Sequence, residues 1–173
     1  MSGSTTFEFG DDPEAAGRAL RDAFGCFTTG VTVITTIADD GRPVGFTANS
    51  FASVSLDPPL ALTSIDFKSN SLAHLEASKV FAVNVLHVDQ QEIARKFTAK
   101  TGDRFEGVET ETWGSGVPIL KGCMANFELE THHAFDAGDH RVIVGRILKV
   151  RYDPHHEPLV FLRGKYRKVH TDL

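Results

Sequence analysis

The sequence predicts a mainly β chain whose strands close into an antiparallel barrel, with few helices outside it. Three observations lead there. About seven β-branched or alternating apolar segments run along the chain, each bounded by Gly, Pro, Asn or Asp turns. Few stretches carry helical periodicity. Strands in such number, with so little helix to cover their ends, avoid exposed edges by closing on themselves.

The elements follow in order. Residues 1–10 read as a disordered lead and 11–173 as a single domain, long enough to build a core without staples. Asp11-Asp12-Pro13-Glu14 holds a helix N-cap candidate, a first-turn proline and an early acid. Ala16, Leu20, Ala23, Phe24 and Phe27 recur at helical spacing as one apolar stripe, and Gly25 and Thr28-Thr29-Gly30 end the helix. Val31–Ala38 is a β-branched strand, Asp39-Asp40-Gly41 a tight turn, and Pro43–Ser55 the returning strand. After Pro58-Pro59, Leu60–Ile65 is a short apolar strand. Asp66–Asn70 is a polar loop opening a short helix through Leu72 and Leu75. Val80–Leu86 suits a buried strand. Asp89 with Glu92 resembles a capping box, with Ile93, Ala94 and Phe97 as the buried face. Residues 99–120 are Gly-rich and polar, the pattern of a long surface loop, and such loops are often functional. Cys123, Ala125, Phe127 and Leu129 alternate with Asn126, Glu128 and Glu130 as a half-buried strand. A turn at Asp136–Asp139 leads into Val142–Val150, and Leu159–Leu162 is one more strand.

Composition narrows the function. A net charge of −5 argues against a nucleic-acid surface, which needs clustered Lys and Arg. No apolar run approaches the roughly 18 residues that span a bilayer, and no basic-then-apolar leader opens the chain. The two cysteines, Cys26 and Cys123, give neither a disulfide framework nor a metal spacing; apolar neighbours mark both as small buried hydrophobes. A soluble, cytoplasmic protein that engages neither nucleic acid nor membrane is the expectation.

One run stands out: Gly45-Phe-Thr-Ala-Asn-Ser-Phe-Ala-Ser-Val-Ser-Leu-Asp-Pro-Pro59. Its small and hydroxyl side chains leave backbone N–H and C=O groups open to a flat polar molecule. The same residues also suit an ordinary edge strand stopped by proline. Lys68-Ser69-Asn70-Ser71, before the expected helix, reads as a phosphate cradle or as a plain serine cap. In Gly138-Asp139-His140, His140 can donate to a carboxamide or ring carbonyl while Asp139 fixes its tautomer; a solvent-facing turn histidine is the alternative. Asp103-Arg104-Phe105-Glu106-Gly107 offers a guanidinium and an aromatic to cover a ring, or is an exposed mixed-charge loop. His132-His133 and His155-His156 invite a metal reading. Adjacent strand residues point to opposite faces, so no metal is expected. No Gly-x-Ser-x-Gly, Gly-x-Gly-x-x-Gly or Walker motif occurs.

Six stretches, taken in order, resemble the flavin reductase-like family, whose best-known members are small reductase components of two-component flavin monooxygenases. They are Thr29-Gly-Val-Thr-Val-Ile-Thr35, the run 45–59, Phe81-Ala-Val-Asn-Val-Leu86, Asp103-Arg-Phe105, Gly138-Asp-His140 and Pro158-Leu-Val160, spread over residues 18–168. The resemblance implies a closed antiparallel split β-barrel of Greek-key type with a few short peripheral helices. It also implies a homodimer, FMN or FAD as the flavin, NADH or NADPH as hydride donor, and a transient monooxygenase component as partner. By that likeness Thr47, Ala48, Asn49 and Ser50 line the ring and ribityl chain, Ser53, Lys68 and Ser69 hold the phosphate, and Phe97 and Arg104 border the pocket. His140 and Tyr166 lie near the nicotinamide, and no residue is an obligatory acid or nucleophile. Two alternatives stay open: an FMN-holding oxidoreductase with its own substrate, and a non-catalytic barrel binding flavin or haem.

Overall fold

The β-branched run Thr32–Ile37 forms a strand buried on both faces, and the other strands are laid out around it. The computed structural model describes residues 3–4, 6–8, 10 and 12–169. The expected lead over 1–10, the cap candidate Asp11 and the chain end at 173 lie partly or wholly outside these residues.

In chain order the elements are α1 (Pro13–Phe24), β1 (Thr29–Gly30), β2 (Thr32–Ile37), β3 (Pro43–Ala48), β4 (Ala52–Leu56), β5 (Pro59–Asp66), α2 (Leu72–Ser78), β6 (Val80–Val85), a 3-10 turn (Val88–Gln90), α3 (Gln91–Lys96), β7 (Thr110–Thr112), β8 (Pro118–Leu120), β9 (Ala125–Ala137), β10 (His140–Tyr152), β11 (Leu159–Leu162) and β12 (Lys165–Lys168). The protein is mainly β with few helices. Seven antiparallel strands make the main sheet, in the order β3-β2-β6-β9-β10-β5-β4. β1, β11 and β12 form a second sheet, and β7 pairs with β8.

Pro43–Ser55 is two strands, not one, and they sit at opposite edges of the main sheet. The crossing is made at Asn49-Ser50-Phe51. There the Ser50 hydroxyl donates to the Ser64 carbonyl at 2.9 Å, accepts from the Ser64 N–H at 3.1 Å and meets the Thr63 hydroxyl at 2.9 Å. A side chain standing in for ladder partners lets the chain leave β3 and join β5 through β4.

One apolar cluster, built on Ile34, Ile65, Phe81, Leu129 and Ile143, includes Leu72 and Leu75 of α2 and is flanked by Phe46, Ala48 and Phe51. A second gathers Val31, Val33, Leu86, Ala94, Phe97 and Leu159. Burying a side chain such as Phe97 stabilises the fold by about 1.5–3 kcal/mol, enough to anchor the end of α3.

Several expectations need correction. Asp12 caps α1, accepting from the N–H groups of Glu14 and Ala15 at 3.0 Å. The helix's apolar stripe is not packed, however: Phe24 and Phe27 are 71% and 77% exposed. The capping box lies two residues before the expected one. His87 accepts from the Asp89 N–H, and Gln90 Oε1 accepts from the His87 N–H, because the chain enters α3 through the 3-10 turn. The segment 99–120 is not all loop: β7 and β8 pair within it, and Val117, Ile119 and Leu120 are fully buried. Nor does the 123–130 stretch keep its polar positions wet: Asn126 and Glu128 are covered as fully as Leu129, while the exposed part of β9 lies further on, from His132. Glu128 accepts there from the Ser115 N–H and hydroxyl. Cys123 is buried as expected, but Cys26 is exposed, lying just past the end of α1.

Candidate functional site

A cleft of about 650 Å³ opens where β3 ends, within the range of small-molecule sites. Four segments meet there: 46–50, 64–71, 97–104 and the first residue of β10. It contains nine of the expected site residues: Thr47, Ala48, Asn49, Ser50, Lys68, Ser69, Phe97, Arg104 and His140. Tyr166 lines an adjoining cavity of about 180 Å³ that shares Thr47, Ala48 and Asn49. Ser53 is not among them; it is exposed on β4, opposite Ala61 of β5.

The hydroxyls divide by task. Thr47 donates to the Ala94 carbonyl at 2.6 Å and its N–H reaches the Phe97 carbonyl at 3.3 Å, tying β3 to α3. Ser50 is spent on β5. The polar side chain left for a ligand on this wall is therefore Asn49, which makes no hydrogen bond among the described residues. Its neighbour Ala48 keeps the wall flat.

The corner at 66–71 is a tight turn. Asp66 accepts from the Lys68 N–H at 2.8 Å through its carboxylate and from the Ser69 N–H at 2.9 Å through its carbonyl. Ser69 Oγ accepts from the Ser71 N–H at 3.3 Å. The alternative reading of a plain serine cap does not hold at Ser71, which makes no capping bond with its side chain, and α2 is under two turns long. With the Lys68, Ser69 and Ser71 N–H groups spent inside the turn, the corner presents the Lys68 ammonium, the Ser69 hydroxyl and Asn70 to the cleft rather than a helix dipole. Across the cleft stand Lys100 and Arg104. Arg104 donates to the Ala99 carbonyl at 2.8 Å and the Gly45 carbonyl at 2.6 Å, pinning the loop to β3. Phe105, the expected ring cover, turns away from the cleft and packs edge-on against Phe97 at 5.0 Å.

Gly138-Asp139 is a two-residue hairpin turn with Gly138 at φ 61°, a conformation glycine adopts without strain. It starts β10 at His140, opposite Asp66. His140 Nδ1 lies 2.6 Å from Asp139 Oδ1. The His140 imidazole holds the Asp139 carboxyl below its ordinary range, with Lys68 adding to the effect. Burial pushes the Tyr166 hydroxyl up, partly opposed by Arg95, and its ring packs on Phe161 at 5.6 Å.

Ser64, Ile65, Thr98 and Lys100 also line the cleft, and sequence reasoning missed them. Ser64 was open to discovery, since it alternates with buried neighbours on β5. Among the described residues no group of three or more His, Cys, Asp or Glu is arranged to hold a metal ion. His156 stacks on His87 at 4.4 Å instead.

The fold and cleft define a small, mainly β protein with a basic, amide- and hydroxyl-lined ligand site of nucleotide size. The flavin reductase like domain matches residues 24–170, and the chain belongs to that family. It is 41% identical over 155 residues to the reductase subunit HsaB of a flavin-dependent monooxygenase from Rhodococcus jostii, covering 90% of this chain and 79% of that one. It is 42% identical to the FMN reductase (NADH) SmoA of Agrobacterium fabrum, covering 86% and 84%. Against the longer stachydrine N-demethylase reductase subunit Stc3 of Rhizobium meliloti it is 46% identical but spans 56% of the relative's length. Among solved structures it is similar to the NADH:FAD oxidoreductase SgcE6 of Streptomyces globisporus in complex with NAD and FAD fragments. The TM-score is 0.87 at 35% identity, covering 96% and 99% of the two chains. No helix among the described residues is long and apolar enough to cross a membrane.

Proposed function

We propose that the chain is an NAD(P)H-dependent flavin reductase that supplies reduced FMN or FAD to a partner monooxygenase. The observation that carries this reading is the joining, within one cleft, of Asn49, unpartnered among the described residues, to a basic corner at Lys68. The donor set fits a ring with an anionic tail: three cations, Lys68, Lys100 and Arg104, against the single carboxylate of Asp66. A flavin bound there supplies hydride acceptance from a nicotinamide and onward delivery of the electrons. The residues hold and orient. Asn49 hydrogen-bonds the polar edge of the ring, Ala48 and Thr47 give it a level seat, and Lys68, Ser69 and Asn70 take the phosphate. His140, its Nδ1 engaged by Asp139, offers Nε2 to the nicotinamide carboxamide, and Tyr166 closes the far side. Catalysis of this kind is positioning and exclusion of water, so it needs no acid or nucleophile.

The sheet in this reading curls into a closed split barrel, within a single domain assigned to 11–173 of which 12–169 are described. Support comes from Ser50 bridging to β5 and from the cluster joining Phe46, Ala48 and Phe51 to Ala61 and Ile65. A homodimer accounts for the apolar side chains on view: Val54 and Leu56 on β4, Leu148, Val150 and Tyr152 on β10, and Phe24 on α1. A cytoplasmic setting suits the unpaired thiols.

The test is anaerobic NADH oxidation with FMN, FAD and riboflavin side by side, paired with flavin titration of Asn49→Leu. Turnover with flavin, and weaker flavin binding in the variant, are expected. No oxidation above the blank, or coincident titration curves, would remove the reading.

A further inference from the structure

Beside the cleft lies a second cavity of about 480 Å³, lined by Arg42, Val44, Gly45, His74, Asp103 and Phe105. It is an annex rather than a separate site, because Asn70, Ser71, Lys100 and Arg104 line both spaces. Of the corner assigned to the flavin phosphate, Asn70 is shared and Lys68 and Ser69 line the main cleft alone, so a ligand that continues past that phosphate by way of Asn70 enters the annex.

Its chemistry is that of a nucleotide seat. Arg42, Lys100 and Arg104 bring three permanent cations against one lining carboxylate, Asp103, whose Oδ1 already accepts the Phe105 N–H at 2.8 Å. Arg42 is held in place by Asp40, which accepts its Nε–H at 2.7 Å, and among the described residues the guanidinium's terminal nitrogens have no partner, so they can meet phosphate. The His74 imidazole makes no hydrogen bond among the described residues. Phe105 supplies an aromatic surface, and aromatic side chains are common platforms for bases.

We propose that the annex takes the adenylate half of a dinucleotide, with FAD as its source, and that Arg42 and His74 set the preference for FAD over FMN. This rests on the flavin reading of the main cleft. FMN ends at its phosphate and gains nothing from the annex. FAD gains a charged hydrogen bond at its second phosphate and a surface for its base.

The test is calorimetric titration of the full chain with FAD and with FMN, in wild type, Arg42→Ala, His74→Ala and the double variant. The double variant is expected to weaken FAD about tenfold while FMN stays within about twofold. AMP, used as a probe on the wild type, is expected to displace FAD and leave FMN bound. Equal shifts for both flavins, no shift for either, or AMP displacing both or neither would overturn the assignment. A raised KM for NADH with FMN as flavin, at an unchanged FAD-to-FMN preference, would move the annex to the nicotinamide dinucleotide and overturn it equally. Wild-type protein that binds neither flavin would instead refute the reading of the main cleft, and the annex with it.

Discussion

Asn126 donates its side-chain amide to Asn84 Oδ1 at 2.9 Å, and both residues are fully buried where β6 pairs with β9. The Asn84 amide donates in turn to the Val33 carbonyl at 2.9 Å and to Thr35 Oγ1 at 3.2 Å, while its oxygen also accepts the Leu120 N–H at 2.9 Å. Arg151 closes the other side, donating to Asn126 Oδ1 from Nε at 3.2 Å and Nη2 at 2.8 Å. Four strands, β2, β6, β9 and β10, and the β8 segment are thereby tied together by one polar pair.

Replacing Asn84 by leucine keeps the volume and strands its partners. Each buried group left unpaired costs about 1–3 kcal/mol, so Asn84→Leu is expected to lose about 3 kcal/mol or more. Urea denaturation with an unchanged slope measures it. Asn126→Leu removes much of the same network, so the double variant should fall well short of the sum. Additive losses would mean that the two amides act independently.

Gly45→Ala probes how the fold sets the cleft wall. A Cβ there would meet Phe97 Cε1 at 2.7 Å and Phe105 Cζ at 3.1 Å. Overpacking of this sort costs about 1–3 kcal/mol, and here the ring displaced is the one that borders the cleft. Both stability and flavin affinity should drop. Phe97→Leu placed on top of it should recover part of the stability; no recovery would place the strain elsewhere.

The strands were legible because β-branched runs with Gly, Pro and Asp punctuation leave little choice, as in Thr32–Ile37. The crossing at Asn49-Ser50-Phe51 was not, since its cause is a hydroxyl bonding a strand ten or more residues on, and periodicity carries no long-range partner. Asn126 and Glu128 misled for the same reason: polar residues at alternate positions read as a wet face unless the groups that satisfy them are known. The cleft residues on the 45–59 run and at Lys68-Ser69 were visible as motifs. Lys100 was not, because its place depends on how Arg104 pins the loop to Gly45.

His140→Ala separates the two substrates. With Nδ1 committed to Asp139, the ring is oriented toward one use, and its loss should raise the nicotinamide KM about tenfold, near 1.4 kcal/mol. Asp139→Asn keeps the ring and weakens only its orientation, so a smaller rise of about threefold is expected, because the imidazole itself remains. The Asp139 carboxyl is held low by the His140 hydrogen bond, so the carboxylate that orients the ring is present above the ordinary carboxylate range and is lost only as pH falls below it. Steady-state kinetics at neutral pH should therefore show the full difference between the two variants. Identical constants in His140→Ala and wild type would remove His140 from the site.

The two thiols should part company under native conditions. Cys26 is exposed, with the Asp22 carbonyl 3.5 Å from its sulfur, whereas Cys123 is buried beside Gln90, whose amide nitrogen is 3.7 Å away. Iodoacetamide should modify Cys26 alone until the chain is unfolded. Burial also pushes the Cys123 thiol up to about 11, from an ordinary 9.0. Below pH 9 the thiol is protonated in both folded and unfolded chains and contributes no pH dependence. Between 9 and 11 the unfolded chain gives up this proton and the folded one keeps it, so the stability associated with Cys123 falls as pH rises through that window. Cys123→Ala loses about 1 kcal/mol at neutral pH through the cavity it leaves, but it has no thiol to titrate. The stability gap between wild type and variant should therefore narrow above pH 9, and a gap that stays constant to pH 11 would show that the thiol is not shielded by the fold.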